Sequence, residues 1–241
     1  MTQYNADPWA PQPPSYPTPC RTTEPVGVYT AKAFGWMFVG LLVTFLIAAF
    51  GYVTGLIYYV FTVPYLPYVL LVAEVLVVFI LSARIDKMSV GAATALFVLY
   101  AILNGVVFTT YFLLFDVPSL ILVFAVTAAF FGIMALFGYL TKCDLTSLRP
   151  LLLGGLIFLL AFGLLSFLLP LENFERIYCL IGIVIFMAFT AYDVQKIRKY
   201  HQAFQYNPEM AQKATIISAL QLYLDFINIF LYLLRFLNKR K

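Results

Sequence analysis

Three acidic residues lie inside apolar runs: Glu74 in "LLVAEVLVVF", Asp193 in "MAFTAYDVQKIRKY" and Asp225 in "LQLYLDFINIFLY". The chemistry open to carboxyls in such surroundings is narrow. An aspartate near the middle of a membrane-spanning helix costs about 2.5–3.5 kcal/mol on insertion scales, so it faces a bundle interior, a partner or a water-filled path. Two that meet in a low-dielectric interior cannot readily both ionise, and the pair then shares one proton and titrates as a unit. Loss of that proton leaves hard anionic oxygens, which suit Ca²⁺ better than softer transition metals. The plain alternative is a carboxyl that stays protonated or bonds a neighbouring helix to fix packing, and it applies to the isolated Glu74 as well as the first reading does.

The run that carries Asp225 has more polar character than its hydropathy suggests. Ser218, Gln221, Asp225, Asn228 and Tyr232 recur at spacings of three and four, which places them on one stripe of a helix. Such a seam either lines a pathway at the centre of a bundle or serves as an interhelical hydrogen-bonding contact. On the first reading Asp193 and Asp225 are the pH-sensing pair and transient calcium ligands. Glu74, Ser218, Gln221 and Asn228 are then candidates to line the pathway.

The elements that must position these groups follow from composition. Hydrophobic residues make up 63% of the 241 and charged residues 11%, and the mean hydropathy is +0.93, far outside soluble norms. A hydrocarbon layer about 30 Å thick takes about 20 apolar residues of helix. Seven such runs occur, at 34–56, 66–83, 91–114, 119–140, 151–169, 177–195 and 214–237. They predict an all-α integral membrane protein, with residues 33–241 as a seven-helix domain and no room for a soluble catalytic domain. Residues 1–32 are rich in proline and poor in aliphatics, which predicts a disordered tail. The tail lacks a basic n-region and a small-residue cleavage site, so the first run reads as a retained span.

Lysine and arginine set the expected orientation. Most fall in the tail and in the second, fourth and sixth loops, including Arg84, Lys87, Lys142, Arg149, Lys196, Arg198, Lys199 and Lys213. The N-terminus is therefore expected in the cytoplasm. Seven full crossings would leave the basic end at Arg235, Lys239, Arg240 and Lys241 outside, whereas a re-entrant last segment would return it inside; seven crossings are the favoured expectation.

"FTAYDVQKIRKY" followed by "ALQLYLDFINIFLYLLRFL", behind six apolar segments, resembles the transmembrane Bax inhibitor motif family, also called the Bax inhibitor-1 family, in its bacterial form. The resemblance covers the chain from the first span to the C-terminus. It implies a central last helix wrapped by two three-helix layers, and a calcium leak gated by a pH-sensing aspartate pair, here Asp193 and Asp225. It also implies an arginine latch onto the sixth-helix aspartate, for which Arg84 is the candidate; on its residues alone Arg84 reads equally as an interfacial anchor. For some bacterial members it suggests a regulator of a membrane protease or stress factor, which would add such a protease as a partner. The expected function is a pH-sensitive calcium leak in a bacterial inner membrane, with calcium and protons as the transported and sensed ions, no tightly bound cofactor and no enzymatic activity.

Internal repetition supports the layered plan. "FGYVT" at 50–54 and "FGYLT" at 137–141 each close the first helix of a three-helix set, as in an inverted repeat. Gly51, Gly55, Gly132, Gly154, Gly155 and Gly182 are expected to permit close helix approach. An intramembrane aspartyl protease would share the Tyr192-Asp193 element, but Leu222, Tyr223 and Leu224 precede Asp225 where a Gly-x-Gly-Asp arrangement is needed. His201 is the sole histidine, Cys20, Cys143 and Cys179 form no CxxC, and the net charge of +4 is explained by loop placement. These points argue against a histidine metal cluster, a zinc site and nucleic-acid binding.

Overall fold

The computed structural model describes residues 24–56, 58, 62, 63, 65–166 and 174–238. Most of the expected tail, residues 1–23, therefore lies outside the described residues, as does the expected end of the fifth run at 169. Seven helices among the described residues are long and apolar enough to cross a membrane. They are α1 (Val26–Thr54), α2 (Leu66–Arg84), α3 (Val90–Leu114), α4 (Val117–Leu140), α5 (Arg149–Leu165), α6 (Glu175–Ala203) and α7 (Pro208–Asn238). The remaining regular pieces are short 3₁₀ turns at Ile85–Lys87 and Leu145–Leu148, and no strand occurs among the described residues. In hydrocarbon each backbone polar group needs a partner within its own segment, and the helix supplies it.

Local sequence sets the helix ends. Ser89 caps α3 by accepting from the Ala92 amide at 3.2 Å, and Asp116 caps α4 by accepting from the Ser119 amide at 3.0 Å. Gly55, at φ 70°, closes α1 in the left-handed region, which favours glycine.

The packing is a 3+3+1 arrangement. α1 packs on α3 and α2 on α3; in the second set α4 packs on α6 and α5 on α6. α7 touches α1, α3, α4 and α6. Its apolar window is 67% buried against 11% for α2, which makes it the axis of the bundle. At an axial rise of about 1.5 Å per residue, the unbroken 31 residues of α7 exceed a hydrocarbon layer about 30 Å thick. The last segment is one continuous helix with no break inside it.

The two matched glycines occupy equivalent places. A Cβ at Gly51 would meet the Thr109 hydroxyl oxygen of α3 at 2.6 Å, and one at Gly138 would fall on the Ala191 backbone of α6. Each lets the first helix of its set press on the third. Gly155 and Gly182 do the same toward Ile185 and Tyr232, but Gly132 and Gly154 have nothing within 4 Å and Gly55 ends a helix. The expectation of close approach is corrected at those three positions.

The boundary expected after residue 32 also moves. α1 begins at Val26 because the corner between α6 and α7 holds its first turn. The Tyr29 hydroxyl donates to the Ala211 carbonyl at 2.9 Å, the Tyr29 ring meets the His201 ring edge-on at 5.3 Å, and His201 Nε2 lies 2.8 Å from the Glu24 carbonyl oxygen.

Candidate functional site: a buried aspartate pair between α6 and α7

The end of α6 near Asp193 is fixed in register by the loop between α4 and α5. Gln195, itself buried, accepts from the Leu145 amide at 2.8 Å and donates through Nε2 to the Cys143 carbonyl at 2.6 Å. Arg198 donates to the Thr141 carbonyl at 3.2 Å, and Lys199 pairs with Asp144 at 2.8 Å and with the Thr146 hydroxyl. These contacts explain why α6 runs to Ala203, well past the apolar run that ends at 195. Asp144 lies in that loop, where the Lys199 ammonium and the Thr146 hydroxyl hold its carboxyl down at about 2.

With that register set, α6 turns Thr190, Asp193 and Lys196 toward α7. Asp193 is 7% exposed and Asp225 4%, so both aspartates lie in the interior. The structure brings the two together: the Asp193 carboxyl is the leading charged neighbour of Asp225, followed by Lys196, with the Thr190 hydroxyl within hydrogen-bonding reach. Lys196 Nζ stands 3.9 Å from Asp193 Oδ1 and donates to Gln221 Oε1 at 3.4 Å. The Thr190 hydroxyl donates to the Phe186 carbonyl at 2.9 Å. Asp225 Oδ2 is buried and has no hydrogen-bond partner among the described residues; the same holds for the hydroxyls of Ser218 and Thr30.

The stripe on α7 keeps one orientation along its length. Gln221 meets Lys196 and Asp225 meets Asp193, while Tyr232 pairs with the Tyr178 hydroxyl at 3.1 Å and stacks on Phe186. Asn228 turns back on its own helix, donating to the Leu224 carbonyl at 2.7 Å. A different face of α7 carries Tyr223, fully buried, whose hydroxyl is 2.7 Å from that of Thr44 on α1. Phe97 and Tyr100 of α3 meet its ring edge-on.

Two candidates stand apart from the pair. Glu74 is half-buried on α2, which packs chiefly on α3, with Oε1 unpartnered among the described residues. Arg84 is exposed at the end of α2, and the cation beside Asp193 is Lys196. The turn after Arg84 is tied to α7 instead through Lys213, which donates to the Asp86 carbonyl at 3.5 Å.

Among the described residues no group of three or more His, Cys, Asp or Glu side chains gathers as a metal site. The pair supplies two carboxylates, oxygens of the hard kind.

A family model described as inhibitor of apoptosis-promoting Bax1 matches residues 27–241. The chain belongs to the Bax inhibitor-1 family. Within it, this member is 37% identical over 215 residues to the inner membrane protein YbhL of Escherichia coli K12, covering 88% of this chain and 92% of that one. It is 35% identical over 217 residues to an uncharacterized protein of Borreliella burgdorferi, with 88% and 92% covered. A Deinococcus radiodurans relative is 34% identical over 224 residues, with 91% and 94% covered.

Sequence reasoning passed over Lys196, Gln195 and Thr190. Each had a signal: Thr190 and Lys196 stand three residues either side of Asp193 on one helix face, provided that the helix is carried past 195. Tyr223 had none, because a tyrosine in an apolar run gives no hint of a hydroxyl partner on α1.

Proposed function

We propose that this Bax inhibitor-1 family member is a pH-sensitive cation leak, with calcium as the transported ion and Asp193 and Asp225 as its proton-sharing gate. The observation that carries the reading is the meeting of two buried carboxyls from α6 and α7 at the axis of the bundle. Two such groups cannot both hold charge without a cation between them, so protons and cations compete for the same oxygens. Lys196 beside Asp193 favours charge there, which leaves the shared proton to Asp225. The groups that bear on this balance are Lys196 and Thr190 from α6 and Gln221 from α7. The unpartnered oxygens of Ser218 and Thr30 extend the polar track from Asp225 toward the end of α7 that begins at Pro208.

The test is calcium flux through the purified chain in liposomes between about pH 5 and pH 8, the window in which most physiological proton switches act. Flux should vary with pH in the native chain and lose that variation in Asp193→Asn and in Asp225→Asn. A pH profile unchanged in both variants overturns the gate, and absence of flux at every pH overturns the leak in favour of a regulator of a membrane partner.

A further inference from the structure

The seam between α1 and α4 holds a hollow of about 350 Å³. Its floor includes Phe226 and Phe230 of α7 and Leu120 of α4, all buried, and its rim includes Phe38 and Phe45 of α1 and Ile121 of α4, all exposed. α1 and α4 meet through Phe34 and Phe131 but scarcely pack beyond that, although each packs on α7, so the hollow opens between them, with Phe108, Tyr111 and Phe112 of α3 forming a further wall. The Thr44 hydroxyl in its wall is already engaged by the Ala101 carbonyl at 2.9 Å and by Tyr223. We propose that this hollow binds one acyl chain of a membrane phospholipid, which lies between α1 and α4 and packs on α7 in the turn that follows Asp225.

Three observations favour that occupant. The rim is continuous with the exposed apolar surface of the spans, and in a bilayer the solvent of that surface is hydrocarbon. A methylene displaces about as much volume as a liquid water, about 30 Å³, so the hollow takes roughly ten carbons of one tail. Near-complete apolarity leaves the headgroup unrecognised, so the site selects for a tail. Lipid tails are as apolar as leucine, so the gain is dispersion: the tail touches walls on several sides here and only mobile neighbours in the bulk. This site stands on its own geometry and does not depend on the proton-sharing pair.

The experiment uses the full chain in phosphatidylcholine vesicles in which a fraction of the lipid carries a diazirine at mid-chain. After irradiation the adducts are mapped by peptide mass spectrometry. Adducts are expected on Leu120 and on the stretch from Phe226 to Phe230, which are buried and out of reach of bulk lipid, as well as on exposed residues such as Phe79 of α2. Leu120→Trp, whose added ring intrudes over the α7 floor, should lower the α7 adducts and leave those on Phe79 unchanged; Ile121→Trp at the rim is a second variant with the same expected direction. Adducts confined to exposed residues, or α7 labelling undiminished in both variants, overturn the proposal. So does oxidative cross-linking of two copies through Ile121→Cys without floor labelling, or labelling that requires one particular headgroup.

Discussion

At the scale of single residues, charge placement separates the groups that can sense pH from those that hold structure. Asp144 has its carboxyl held down at about 2 by Lys199 and Thr146. A depressed carboxylate contributes stability above its unfolded value, near 4, and loses it only as pH falls toward about 2. The loop clamp is therefore constant across physiological pH, and Asp144→Asn should leave the pH profile of calcium flux where it was. Lys196→Gln, by contrast, removes the cation 3.9 Å from Asp193 and should displace the midpoint of that profile; both are read in the same liposome assay. Tyr223→Phe deletes the hydroxyl bonded to Thr44 and should cost about 0.6–1.7 kcal/mol, the range measured for interhelical hydrogen bonds in a membrane, by thermal unfolding in detergent. Asp193 and Asp225 were legible in the sequence because a carboxylate in an apolar run is costly enough to need a reason. Lys196 was not, because a lysine in "DVQKIRKY" reads as one more loop cation until the helix is known to continue through it.

At the scale of elements, the matched glycines make a discriminating pair. Gly51→Ala would press on the Thr109 side chain, whereas Gly138→Ala would press on the Ala191 backbone. Each should destabilise by about 1–3 kcal/mol, the usual cost of overpacking. Thr109→Ala should relieve the first; no side-chain change at Ala191 should relieve the second. Unfolding midpoints of the two single variants and of Gly51→Ala with Thr109→Ala check this. Gln195→Ala should free two backbone groups of the α4–α5 loop and cost about 1–3 kcal/mol, detected as faster proteolysis at Cys143–Leu145. The seven helices could be counted from apolar windows because the bilayer imposes their length. Their ends could not, since α1 and α6 are extended by contacts made with distant segments: Tyr29 with Ala211, and Gln195 with the α4–α5 loop.

At the scale of the whole molecule, the sequence repeat "FGYVT" and "FGYLT" does correspond to two three-helix sets, and the polar stripe of α7 is buried at Ser218 and Asp225 and half-buried at Gln221, Asn228 and Tyr232. The lateral hollow was not legible, because it arises where α1 and α4 diverge beyond their Phe34–Phe131 contact and no residue type marks a gap. The placement of α7 bears on how the protein is made. Chains emerge from the ribosome N-terminus first, so the helix that ends up at the core is synthesised after the six that surround it. Until it arrives, six helices sit in the membrane with Asp193 lacking its companion and the inner faces of α1, α3, α4 and α6 unmatched. The core is therefore complete only once α7 lies against both three-helix sets. A chain ending before Pro208 should reach the membrane yet be degraded rapidly in pulse-chase labelling, and coexpression of residues 204–241 as a separate segment should prolong its lifetime.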